Sequence, residues 1–140
     1  MERLDSKALM AAARNVVGDF ACSQECSAGS VGAALLSESG EVFTGICIDA
    51  RSSLGFCAEH AAIAEMLKQR QTRIRAIVAI DDKGAVLPPC GRCRELIRQT
   101  DPANWDTQVI LPGGRIEPLS ALLPFSRASR SQSPDGQEGS

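Results

Sequence analysis

Three cysteines constrain this chain more than any other feature: Cys57 in Cys57-Ala58-Glu59, and Cys90 and Cys93 in Pro89-Cys90-Gly91-Arg92-Cys93. Both segments open a stretch of helical character. Ala58, Ala61, Ala62, Ala64, Met66 and Leu67 recur at helical spacing after Cys57, and a helix is predicted from near Cys90 to Gln99, between Pro88-Pro89 and Asp101-Pro102. Thiolates belong at such positions, because the unpaired N–H groups and the macrodipole of a helix N-terminus stabilise negative charge. The same field lowers a thiol pKa and favours metal binding. A fold that used all three sulfurs would have to aim two helix starts at one point.

Three ligands, rather than four, carry a meaning. Structural zinc normally takes four protein ligands, whereas catalytic zinc keeps one position for water. A water on zinc has its pKa lowered from about 15.7 toward about 7. Glu59 follows Cys57 by two positions, so it can lean into the site without ligating and move protons. A structural zinc knot and a redox Cys-X-X-Cys compete with this reading, and Cys-Ala-Glu upstream with proline before the pair weighs against both. His60, the one histidine, reads as a packing or solvent-facing residue. Cys22, Cys26 and Cys47 lack an evident fourth ligand and read as buried or incidental thiols.

The remaining pattern predicts an α/β chain. Leu4 to Val17 reads as a helix capped by Asp5 or Ser6, followed by a polar connection through Ser30. Val31 to Ser37 and Val42 to Ile48 read as a hairpin turning at Ser39-Gly40. Ile74 to Ile80 is almost continuously apolar, as in a strand buried on both faces. Val109 to Leu111 reads as a short strand and Pro118 to Leu123 as a last helical segment. Residues 1–125 make one domain, and 126–140, without apolar periodicity, a disordered tail.

Composition narrows the partners. Lys plus Arg number 15 against 17 Asp plus Glu, a net charge of −2, whereas nucleic-acid polymer binding usually rests on a basic excess. A small free substrate fits better. No apolar run approaches the roughly 20 residues of a membrane span, and Met1-Glu2-Arg3-Leu4-Asp5 meets charge before any apolar signal core. A cytoplasmic protein with thiols or metal ligands, rather than disulfides, is the expectation.

The two cysteine segments, in this order, resemble the cytidine deaminase superfamily, and the cysteine-first form resembles its small free-nucleoside branch of cytidine and blasticidin S deaminases. Val31-Gly32-Ala33-Ala34-Leu35-Leu36 resembles that branch's first strand, Gly45-Ile46-Cys47-Ile48-Asp49 its sugar-contacting segment, and Leu122-Leu123-Pro124 its C-terminal segment. The resemblance implies a three-layer α-β-α fold with a mixed five-stranded sheet, a homotetramer, and hydrolytic deamination of a cytosine-type nucleoside. It implies Zn2+ on Cys57, Cys90 and Cys93, Glu59 as proton shuttle, and backbone N–H groups of Ala58 and Glu59 on the ring carbonyl. Arg92 and Arg94 would hydrogen-bond thiolate sulfur and offset its charge. Cys47 and Asp49 stand where the branch has asparagine and glutamate on the ribose, and Ala28-Gly29-Ser30 where an aromatic often packs on the base. Phe125 would close a pocket, its own or a neighbouring subunit's, or else be buried in a core. The zinc segment Val86-Leu87-Pro88-Pro89-Cys90-Gly91-Arg92-Cys93-Arg94 is similar to that of blasticidin S deaminases, so an aminonucleoside antibiotic is the alternative substrate. A non-catalytic zinc-stabilised binding module is the alternative of another class.

Overall fold

The computed structural model describes residues 4–126. Asp5 caps the first helix, α1 (Ser6–Val16), by accepting the Ala8 N–H at 3.0 Å. The chain continues through β1 (Phe20–Ser23), β2 (Cys26–Ser37), β3 (Val42–Ala50), α2 (Ala58–Lys68), β4 (Ile74–Asp81) and β5 (Val86–Leu87). It ends with α3 (Gly91–Thr100), a 3-10 turn at Pro102–Asp106, β6 (Gln108–Ile110), β7 (Ile116–Pro118) and α4 (Leu119–Leu122).

Among the described residues the sheet has seven strands. A row of β3, β2, β4, β6 and β7 supplies the predicted mixed sheet, with β4 and β6 parallel and the other neighbours antiparallel. Two short strands extend this frame. β2 pairs with β3 along one edge, while its other edge pairs first with β1 and then with β4. β4 likewise pairs with β6 at Ala76–Ile77 and with β5 at Ala79–Ile80.

Helices cover both faces. Alternate residues of β4 point opposite ways: Ala76, Val78 and Ile80 meet Leu9 and Ala13 of α1, and Ile77 and Ala79 join Ala62, Ile63 and Met66 of α2 and Ile97 of α3. That double burial explains the unbroken apolar run. Glycines set the spacing of the layers: a Cβ at Gly32 would stand 2.5 Å from the Ala13 carbonyl oxygen, and one at Gly45 only 2.4 Å from the Ala62 nitrogen. α2 therefore lies hard against β3.

One region differs from the sequence reading. The polar connection expected through Ser30 is a hairpin of β1 with the start of β2, which begins at Cys26 instead of Val31. All four β1 residues are exposed, so no alternation betrays the strand, and backbone pairing alone defines it. Apart from Ser126, the tail predicted as disordered lies outside the described residues, as do residues 1–3.

Candidate metal centre and active site

Cys57 and Cys90 are the N-cap residues of α2 and α3, both with extended backbone. The two helix starts aim their sulfurs at a common centre, and the Cys90 sulfur also faces the backbone N–H groups of Arg92 and Cys93 in its own first turn. Two ties hold the caps there. Ile48 and Phe56 exchange a pair of 3.0 Å backbone hydrogen bonds, fixing the residue before Cys57 to β3. Arg94 donates from Nε to the Pro89 carbonyl at 3.0 Å and from Nη1 to the Leu122 carbonyl at 3.1 Å, clamping the loop before Cys90 to the end of α4.

The sulfurs of Cys57 and Cys90 are 3.4 Å apart, those of Cys90 and Cys93 3.5 Å, and all three lie within 4.8 Å of one another. Tetrahedral zinc with Zn–S near 2.3 Å requires sulfurs about 3.8 Å apart. The donor set and its spacing therefore fit zinc. Among the described residues no other group of three His, Cys, Asp or Glu side chains converges this closely.

Electrostatics at the cluster follow from burial and the helix ends. Burial first, then the Glu59 charge and the neighbouring thiols, pushes the Cys93 thiol far up. Burial and the Cys90 thiol also raise Cys57. Burial acts in the same sense on Cys90, but the backbone N–H groups of Cys93 and Arg92 and the thiols of Cys57 and Cys93 outweigh it and bring Cys90 down. Three thiols packed this closely cannot all ionise without mutual repulsion, and a cation relieves that repulsion.

Glu59 is only 5% exposed. Desolvation raises its carboxyl above the usual glutamate range, opposed by its own backbone N–H and by the Cys93 thiol. Beside it opens a cavity of about 510 Å³ lined by Cys57, Cys90, Ala58, Glu59, Cys47 and Asp49, among others. Cys47 is buried, with Sγ 3.3 Å from Ser30 Oγ and 3.9 Å from Asp49 Oδ2.

Several predicted partners are placed otherwise. The Arg94 guanidinium is taken up by two carbonyls rather than by sulfur. Arg92 lines the cavity, and its backbone N–H, not its guanidinium, acts on Cys90. Phe125 is 97% exposed and, among the described residues, belongs neither to the core nor to the lining of this cavity. Of the cysteines outside the cluster only Cys47 is buried; Cys22 is exposed and Cys26 half-buried. His60 packs against Phe56, ring centroids 6.3 Å apart, and its buried Nε2 has no hydrogen-bond partner among the described residues.

Phe56, Ser30 and Ser53 also line the cavity. Ser30 belongs to the segment standing where the family often has an aromatic on the base, whereas sequence reasoning passed over the other two. Phe56 had a signal, an aromatic directly before a candidate ligand. Ser53 had none.

Comparison with known proteins agrees with this geometry. The cytidine and deoxycytidylate deaminase zinc-binding region matches residues 4–107. The chain is 39% identical over 69 residues to the cytidine deaminase of Mycobacterium tuberculosis (strain ATCC 25618 / H37Rv), covering 49% of this chain and 52% of that protein, so the match spans about half the relative's length. The cytidine deaminase of Halalkalibacterium halodurans is 37% identical over 99 residues, 67% of this chain and 74% of its own. The crystal structure of cytidine deaminase from M. tuberculosis superposes with a TM-score of 0.76 at 29% identity, covering 90% of this chain and 99% of that one. Paired helix starts carrying three sulfurs, a buried glutamate between them, and these likenesses in sequence and fold place the chain in the cytidine and deoxycytidylate deaminase family.

Proposed function

We propose that this chain hydrolytically deaminates a cytosine-type nucleoside, cytidine or deoxycytidine or a related aminopyrimidine, with release of ammonia. One observation carries the reading: a carboxyl group buried beside three converging sulfurs, at the wall of a cavity of nucleoside size. Cys57, Cys90 and Cys93 would hold zinc, which when bound supplies a Lewis acid that makes water a nucleophile near neutral pH.

The chain's own residues do the rest. As its carboxylate, Glu59 takes a proton from the attacking water while the oxygen bonds to the amine-bearing ring carbon. It returns that proton to the adjacent ring nitrogen, and then passes the second water proton to the departing amine, which leaves as ammonia. Burial suits the task, since a carboxyl held above its usual range accepts a proton more readily. The Ala58 N–H, at the start of α2, is a donor for the ring carbonyl oxygen. Cys47 and Asp49, also on the cavity wall, would face the sugar or side group.

Asp49 favours a second substrate within the same chemistry. An exposed carboxylate on the cavity wall pairs with a cationic side group, such as that of an aminonucleoside antibiotic. An ammonia-release screen over cytosine, cytidine, deoxycytidine and blasticidin S, with zinc counted on the same sample, separates these readings. Equal activity on cytidine and blasticidin S removes the specialised one, and no release from any of them removes the deaminase.

Six free cysteines support a reducing, cytoplasmic setting. Exposed Phe20, Leu54, Ile116 and Phe125 support a homo-oligomer, a homotetramer on the family pattern. Phe125 would then meet a neighbouring subunit.

A further inference from the structure

Cys22 and Cys26 lie outside the cavity, on the hairpin that the sequence did not reveal. Ala21 pairs with Ser27, but the next pair is Ser23 with Cys26, so the register slips by one residue. Cys22 and Ser23 together thus oppose Cys26. Such a bulge sets the extra residue, Cys22, beside the one it opposes, close enough for the Cys22 thiol to act on Cys26. Cys26 faces Ser23, at the roughly 4.5–5.5 Å usual between facing Cα atoms, and Cys22 is the adjacent residue, which sets the pair near the roughly 4.4–6.8 Å that a disulfide spans. Cys22 is exposed, Cys26 half-buried, and neither is bridged. The other four cysteines are engaged elsewhere, three in the metal cluster and Cys47 with Ser30.

We propose that Cys22 and Cys26 form a redox-active dithiol that low-molecular-weight disulfides convert to an intrahairpin disulfide. Cys22, the exposed partner, attacks as its thiolate. One sulfur of the small disulfide bonds to Cys22 and the other departs, taking up the Cys22 proton as a free thiol. Cys26 then attacks the Cys22 sulfur of this mixed disulfide, and the second small thiol leaves with the Cys26 proton. Two electrons pass from the pair to the small disulfide, and the two thiol hydrogens leave with its halves. Cys22 raises the Cys26 pKa, first by hydrogen bonding, which fits Cys26 as the second thiol to react.

The test incubates the zinc-loaded full chain with glutathione disulfide and maps its peptides without reduction. The expected product is a Cys22–Cys26 link, with the mass lower by two thiol hydrogens and restored by dithiothreitol. Cys26→Ser should instead accumulate glutathione on Cys22, because nothing displaces it. A glutathione adduct that persists on Cys22 of the unaltered chain would overturn the proposal. So would a Cys22 link between two chains, earlier oxidation of Cys57, Cys90 or Cys93, or no reaction. These readouts do not depend on deaminase activity, so a failed activity screen leaves them intact.

Discussion

Burial separates Glu59 from the many glutamates that decorate helix starts for the sake of the dipole alone. A group used only for the dipole gains nothing from desolvation, whereas a proton carrier does. Glu59→Gln keeps the shape and removes the proton site, so turnover should fall by roughly 10²–10⁴-fold; zinc content, by atomic absorption, should not change. A binding module would show no kinetic loss. Cys90→Ala removes one of the three converging sulfurs, and its expected outcome is loss of both zinc and thermal stability, because metal binding and folding are coupled. The types and spacing of these residues were legible because their chemistry is local. Ser53 was not, since nothing but the meeting of β2 with the loop after β3 brings it to the cavity beside Ser30.

Among the elements, α2 is positioned by what β3 lacks. A methyl group at Gly45 would press on Ala61, Ala62 and the Ala58 carbonyl, so Gly45→Ala should cost about 1–3 kcal/mol by urea unfolding and also lower kcat, because Glu59 rides on the displaced helix. At the far end Asn104 is fully buried. Its Oδ1 accepts the Ile74 N–H at 2.8 Å, and its Nδ2 donates to the carbonyls of Thr72 and Ile97 at 3.1 and 3.0 Å. This one side chain joins the start of β4 to α3 and the 3-10 turn. Asn104→Ala strands two buried backbone groups, the Ile74 N–H and the Ile97 carbonyl, and frees the part-buried Thr72 carbonyl; it should cost about 2–4 kcal/mol, with zinc retained. Helices and the central strand announced themselves through periodicity. β1, β5 and β7 did not, being short and held by backbone bonds that any side chain permits.

For the whole molecule, the two halves of the metal cluster belong to different helices on one face of the sheet. An ion bound there would link α2 to α3 and stabilise the folded chain by mass action. Removing zinc with a chelator should lower Tm by on the order of 10 °C, and re-addition should restore it, whereas Cys90→Ala should show no chelator response. Calorimetric scans with and without chelator check this.

The sequence by itself determined the chemistry and the layer pattern. Cysteine at helix starts, a glutamate two positions on, and apolar runs of period 3.6 or of unbroken character are consequences of local bonding and local solvation. The tertiary structure decided everything that needs two distant segments to meet: the extra strands, the cavity wall, the carbonyls that occupy Arg94, and the exposure of Phe125. Backbone hydrogen bonds between strands are blind to side chains, and a cavity is the space left once packing is complete. Neither leaves a mark on the residues taken one window at a time.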